Sequence, residues 1–212
     1  MLCWGQLGAM PTPLLRRRVS SAMLLSMEEA DRKRCKRYDT PGQAHCLTFS
    51  RFQKRNFLAG DRSCQWLADA IERARGRKMF HLWGFVFMPD HVHLVLLPQP
   101  DVKISQILAS IKSSVSKRAI LWVKRNTPTF LKQMEDAQPN GIVRHRFWQR
   151  GGGYDRNLRS VADVREKIRY VHENPVRRGL VTSADQWHWS SYVAWETGQD
   201  CPIPLDRESL MR

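Results

Sequence analysis

The chain's 212 residues, 42% hydrophobic and 26% charged, are ordinary for a soluble globular protein and enough to bury a real core. Lysine and arginine total 35 against 20 Asp and Glu, and the net charge of +15 favours polyanionic partners by counterion release and steering, nucleic acid first among them. No run of about 18 apolar residues and no long basic helix with a clean apolar face is present, so no membrane partner is expected.

Residues 1–40 mix Pro, Ser and basic clusters such as Arg32-Lys33-Arg34 and read as a flexible basic leader. Arg16-Arg17-Arg18 follows Pro11 and Pro13 instead of preceding an apolar stretch, which argues against a secretory signal. An ordered domain is expected over 41–195 and a C-terminal tail over 196–212. Within the domain, Ala44 to Phe49 predicts a strand, and Trp66, Leu67, Ala70, Ile71 and Ala74 predict a helix over 62–76 that stops at Gly76. Phe80 to Met88 and His91 to Leu97 predict a hairpin turning at Pro89-Asp90. Ile104, Ile107, Leu108, Ile111, Val115 and Ala119 recur with helical period among Lys112, Lys117, Arg118 and Lys124, predicting a long basic helix.

After a loop around 126–141, a last strand is expected over Ile142 to Gln149, followed by a turn or close backbone approach at Gly151-Gly152-Gly153. Ser160 or Asp163 caps a final helix running through His172. The order strand, helix, hairpin, helix, strand, helix is that of an α+β, ferredoxin-like (RRM-like) antiparallel sheet with helices packed on one face. The five cysteines (Cys3, Cys35, Cys46, Cys64, Cys201) are odd in number and lack Cys-x-x-Cys spacing, which fits reduced thiols in a cytoplasm.

The chemistry concentrates in a few positions. His91 and His93, one residue apart in a strand, present both imidazoles on one face and make a candidate two-nitrogen metal clamp. Tyr170 and Asn174, four apart on a helix that halts at Pro175, stack a phenol and an amide on one side. Two imidazoles and the Asn174 oxygen suit Mg²⁺ or Mn²⁺ and leave positions open for a phosphate oxygen, with Tyr170 as a nucleophile beside it. No Gly-x-x-x-x-Gly-Lys-Ser/Thr loop is present, so no nucleotide triphosphate is expected. Tyr154, after the glycines, is an alternative nucleophile, with Arg150 and Arg156 beside it for phosphate. Arg177, Arg178, Trp187 and Trp189 are candidates for contact with nucleic acid, the tryptophans equally for anchoring the C-terminal region in the core. Each site residue also has a plainer reading: structural histidines, a tyrosine packed on the core, an asparagine ending its helix before proline.

Four blocks, taken in order, resemble the transposases of the His-hydrophobic-His single-strand tyrosine class, and most closely the REP-associated tyrosine transposases. They are Tyr38-Asp39-Thr40-Pro41-Gly42; Met88-Pro89-Asp90-His91-Val92-His93; Phe147-Trp148-Gln149-Arg150 through Asn157; and Tyr170-Val171-His172-Glu173-Asn174-Pro175 through Val181 with Trp187 to Tyr192. The resemblance implies His91, His93 and Asn174 as metal ligands, Tyr170 as nucleophile, and dependence on Mg²⁺ or Mn²⁺. It further implies cleavage of single-stranded DNA at palindromic hairpin repeats through a 5′-phosphotyrosine intermediate, by a monomer or a homodimer. The rival reading is a non-catalytic module binding single-stranded DNA or RNA; a zinc hydrolase is a weaker third, with Asp90 its only nearby base.

Overall fold

The structure, a computed structural model, describes residues 39–210, so the expected leader through Tyr38 lies outside the described residues. Strands β1 (Ala44–Ser50), β2 (Phe80–Phe87) and β3 (His91–Pro98) form where β-branched and aromatic residues alternate, and a fourth strand (Tyr154–Leu158) completes the sheet. All pairings are antiparallel, with the last strand beside β1 and β1 beside β3, the ferredoxin-like order expected.

Period-two alternation divides the sheet into two faces. Leu47, Phe49, Leu82, Phe85, Phe87, Val92, Leu94 and Leu96 pack on helices α1 (Asp61–Gly76) and α2 (Ile104–Asn126), the two helices expected on one face. Ala44, Cys46, Val86, Val95 and Leu158 face the other way, where helix α3 (Val161–His172) covers them with Val164, Ile168 and Val171. The third helix therefore closes the opposite face. Its N-terminus is capped by Ser160, whose hydroxyl accepts from the Asp163 amide at 3.1 Å. A bulge between Leu82 and Gly84 turns both Trp83 and Gly84 toward α3, and a Cβ at Gly84 would come within 3.3 Å of Ile168. Glycine there lets the helix approach the sheet.

The fourth sheet strand is not the one expected at 142–149. The only strand there is Val143–His145 (β5), paired with Glu135–Ala137 (β4) in a separate two-stranded ribbon. Arg146 and Arg150 both bind Asp136 at the foot of that ribbon, and Phe147 and Trp148 then drop into the core, Trp148 bridging Arg51. The sheet strand is β6 (Tyr154–Leu158), entered through Gly151 and Gly153, both at positive φ. At Gly153 the expected turn is also a close approach, since a Cβ would lie 2.1 Å from the Thr48 carbonyl oxygen.

The expected C-terminal tail packs back on the domain. Ile203 is fully buried, and Asp206 grips Arg75 with both oxygens while accepting from the Leu82 amide. Cys46, Cys64 and Cys201 are free thiols, and among the described residues no helix is long and apolar enough to cross a membrane.

Gly151 and Gly153 share a left-handed backbone, but only Gly153 lacks room for a side chain. Gly151→Ala should cost about 1 kcal/mol, whereas Gly153→Ala should cost roughly 2 kcal/mol or more, because the β1–β6 pairing must also shift. Urea unfolding of the two variants checks the ranking; equal costs would contradict the close approach.

Candidate active site

The register of β1 against β3 sets the site. Thr48 lies opposite His93 and Ser50 opposite His91, so both imidazoles leave the sheet on the α3 face. Both residues are buried, their rings meet edge to face, and their Nε2 atoms stand 3.0 Å apart. Each ring's other nitrogen is held: His91 Nδ1 lies 2.7 Å from the Asp90 carboxylate, and His93 Nδ1 lies 2.9 Å from the Thr48 hydroxyl. A carboxylate accepts and cannot donate, so Nδ1–H of His91 donates to Asp90.

Burial, reinforced by the charges of His91, Arg177 and Arg178 and opposed by Asp90, pushes His93 down to about 3. His93 is therefore neutral at physiological pH. Burial works against ionisation of Asp90, but the hydrogen bond and charge of His91, with Arg178 nearby, hold its carboxyl below the usual range. Asp90 is thus a partner that orients His91, and the role of free base does not fit that bond. Thr48 had no signal in the sequence, since its contact with His93 spans β1 and β3.

No group of three or more His, Cys, Asp or Glu able to hold a metal ion forms among the described residues. The pair itself fits an ion: nitrogens 3.0 Å apart match adjacent ligands of an octahedral centre with bonds of about 2.1 Å. Asn174 is buried at the start of α4 (Asn174–Arg177), and its side-chain nitrogen donates to the Tyr170 and Val171 carbonyls at 3.2 and 3.1 Å. Asn174 therefore does end its helix, as the plainer reading has it. That orientation turns its amide oxygen away from the helix carbonyls, the only end of the side chain that can act as a ligand.

Tyr170 is 51% exposed on the last turn of α3. Arg177 lies 4.1 Å from its ring centroid and donates to its carbonyl at 2.8 Å, and the Lys167 ammonium stands 5.2 Å from the same centroid. Among the described residues no hydrogen bond joins its phenol to the histidines. Arg177 and Arg178, which follow that helix, act on His93 through their charge. His172, on the buried side of the same turn, is bonded to the Ser191 hydroxyl at 2.8 Å, and burial pushes it down to about 4. Packing accounts for it.

The other expected contacts scatter. Arg150 is engaged with Asp136 and Gln138 at the ribbon, and Arg156 with Asp163 at the start of α3. Arg178 is exposed beside Asp90. Trp189 does not offer a face to a base: it is buried, stacked on Phe87 at 5.9 Å, with its indole N–H donating to Asp61. Half-buried Trp187 donates to the Phe87 carbonyl and packs under α3. Both tryptophans tie the C-terminal segment to β2, the anchoring that was one of the two readings open for them.

Trp189→Ala should therefore cost about 3–5 kcal/mol of stability, through its cavity and the Asp61 carboxylate left without its donor. The salt dependence of nucleic-acid binding by the folded variant should stay unchanged. Chemical denaturation alongside a binding titration tests both, and a variant of normal stability with weakened binding would restore the surface role.

The fold has counterparts among known proteins. Residues 43–174, more than half of the chain, match the family described as transposase IS200 like. A Haemophilus influenzae protein named for the REP-associated tyrosine transposases is 25% identical over 140 residues, covering 62% of this chain and 74% of that protein. The REP-associated tyrosine transposase of Escherichia coli is 24% identical over 129 residues, covering 60% of this chain and 64% of its own length. A solved REP-associated tyrosine transposase, bound to a REP hairpin, shares the fold with a TM-score of 0.58 at 21% identity, over 80% of this chain and 88% of that one. The chain belongs to the IS200-like transposase family.

Proposed function

We propose that this transposase is a divalent-metal-dependent, single-strand DNA endonuclease and strand transferase that acts in the cytoplasm at hairpin-forming repeats, with Tyr170 as nucleophile. The observation that carries this reading is the convergence of the His91 and His93 Nε2 atoms to 3.0 Å, each ring fixed from behind, in a chain of this family. The hairpin in the solved relative, whose fold this chain shares, supports the choice of substrate.

His91 and His93 are the residues to hold Mg²⁺ or Mn²⁺, with the Asn174 oxygen as third ligand. When bound, such an ion supplies Lewis-acid stabilisation of charge on the scissile phosphate. The chain's own residues do the rest. Asp90, accepting from His91 Nδ1, and Thr48, bonded to His93 Nδ1, hold the two rings with their Nε2 atoms turned to each other. Arg178 adds positive charge beside the pair, where a phosphate must enter. Arg177 and Lys167 hold the Tyr170 ring at the end of α3. The phenolic oxygen attacks phosphorus and loses its proton, the bond to the 3′-oxygen breaks, and that oxygen takes up a proton as a free 3′-hydroxyl. The resulting 5′-phosphotyrosine keeps the ester energy for rejoining, without a nucleotide triphosphate.

The rival is a non-catalytic module holding single-stranded DNA or RNA through Trp and Arg with the histidines structural; Trp187 is half-buried and Trp189 buried against β2. With labelled single-stranded repeat DNA and Mn²⁺, the protein should form a denaturant-stable adduct that a chelator prevents and Tyr170→Phe abolishes. Full adduct from Tyr170→Phe would refute the assignment, and binding indifferent to chelator without any cleavage would favour the rival. Asp90→Asn, which leaves the ligands in place, should weaken Mn²⁺ binding by roughly 10- to 100-fold in calorimetry of a normally folded variant.

A further inference from the structure

The face that bears the histidine pair carries a second exposed phenol, Tyr154, the alternative nucleophile, which the proposed mechanism does not use. Register aligns Val86, His93, Thr48 and Tyr154 in one row across all four strands, so their side chains leave the sheet on the same side. Thr48 stands between the other two and is bonded to the His93 ring at 2.9 Å. Tyr154 is thus two strand spacings from His93, about 10 Å between Cα atoms. It is 56% exposed on β6, an edge strand. Its place is fixed by Gly153, whose backbone lies so close to Thr48 that a side chain there would force the strands to shift. Arg156, next on the same face, is engaged with Asp163, so an aromatic ring is what this edge offers beside the histidines.

An exposed aromatic ring next to a phosphate-handling centre, in a chain of net charge +15, suits an unpaired base better than it suits water. The helix that carries Tyr170 in its last turn packs against β2, β3 and β6, and Tyr154 opens β6, with His93 in the row between β2 and β6.

We infer that Tyr154 is a substrate-positioning residue whose ring stacks an unpaired base beside the scissile phosphate. The inference rests on the proposed single-strand substrate and leaves the nucleophile to Tyr170. The two tyrosines then divide the work, one holding the strand by a base and the other attacking the phosphate.

Fluorescence anisotropy of a labelled single-stranded repeat oligonucleotide, at fixed salt and without added metal, tests it. Tyr154→Phe should bind within about twofold of wild type and Tyr154→Trp as tightly or more so. Tyr154→Ala should bind roughly tenfold more weakly, the weight of one base stack. Its salt dependence should not change, because no charge is lost. Oligonucleotides with an abasic residue moved along the strand should reveal one position at which wild type and Tyr154→Ala bind equally. Wild-type binding by Tyr154→Ala, a loss in Tyr154→Phe as large as in Tyr154→Ala, or a difference that persists at every abasic position would overturn the proposal. The abasic scan on wild type alone must show that same single sensitive position, so a misfolded Ala variant does not rescue the idea. The adduct assay separates the two readings: adduct from Tyr170→Phe removes the nucleophile and leaves the stacking result standing. Adduct lost in Tyr154→Phe with binding intact makes Tyr154 the nucleophile and ends this proposal.

Discussion

The pairing of β1 with β3 is the constraint on which the site depends. Thr48 opposite His93 and Ser50 opposite His91 set which way the imidazoles face, and a slip of one residue would send them into the core beneath α1 and α2. That slip is opposed by every apolar residue flanking them, since Val92 and Leu94 are fully buried on the other side and could not take the histidines' place without exposure. The hydrophobic core thus holds the polar site in register. Gly153 extends the same control to the fourth strand, because its contact with the Thr48 backbone fixes where β6 begins.

Charge in this protein divides into two populations. Arg75, Arg118, Arg146, Arg150 and Arg156 each meet a carboxylate of Asp206, Asp69, Asp136 or Asp163, so a good part of the basic surplus trims the structure of loops and helix ends. Exposed pairs of this kind contribute little stability, and their value here is in orienting segments. Arg177 and Arg178 differ, lying close enough to depress His93 and having no carboxylate partner among the salt bridges of the described residues. The net charge of +15 draws a polyanion to the molecule from a distance, and these two arginines concentrate that attraction beside the histidines.

What could be read from the sequence was whatever rests on local periodicity. The shared face of His91 and His93, the hairpin through Pro89-Asp90, the two helices under the sheet and the Ser160 cap all follow from spacing within a single element. The fourth strand escaped because Tyr154, Asp155, Arg156 and Asn157 look like a loop when judged by polarity. Their polarity is met across the sheet, Asp155 by His45 at 2.7 Å and Asn157 by Gln43 at 2.8 Å, and such pairings appear only once the chain has folded. Thr48 behind His93, and Arg177 against Tyr170, are hidden for the same reason. Trp187 and Trp189 looked equally suited to bases and to the core, and in the fold both indoles donate inward, to Phe87 and Asp61, Trp189 buried and Trp187 half-buried. The region at 142–149 misled in the opposite sense: its apolar residues include exposed Ile142 and Val143, so hydrophobicity there did not mean a central strand.

The most direct test is anomalous scattering from crystals grown with Mn²⁺ and a single-stranded repeat oligonucleotide with an uncleavable linkage. The account predicts one manganese peak within bonding distance of Nε2 of both His91 and His93, with a phosphate oxygen on the same ion and the Tyr170 phenol turned toward that phosphorus. Manganese bound elsewhere, with the two imidazoles still in contact and the phosphate lying away from them, would contradict it.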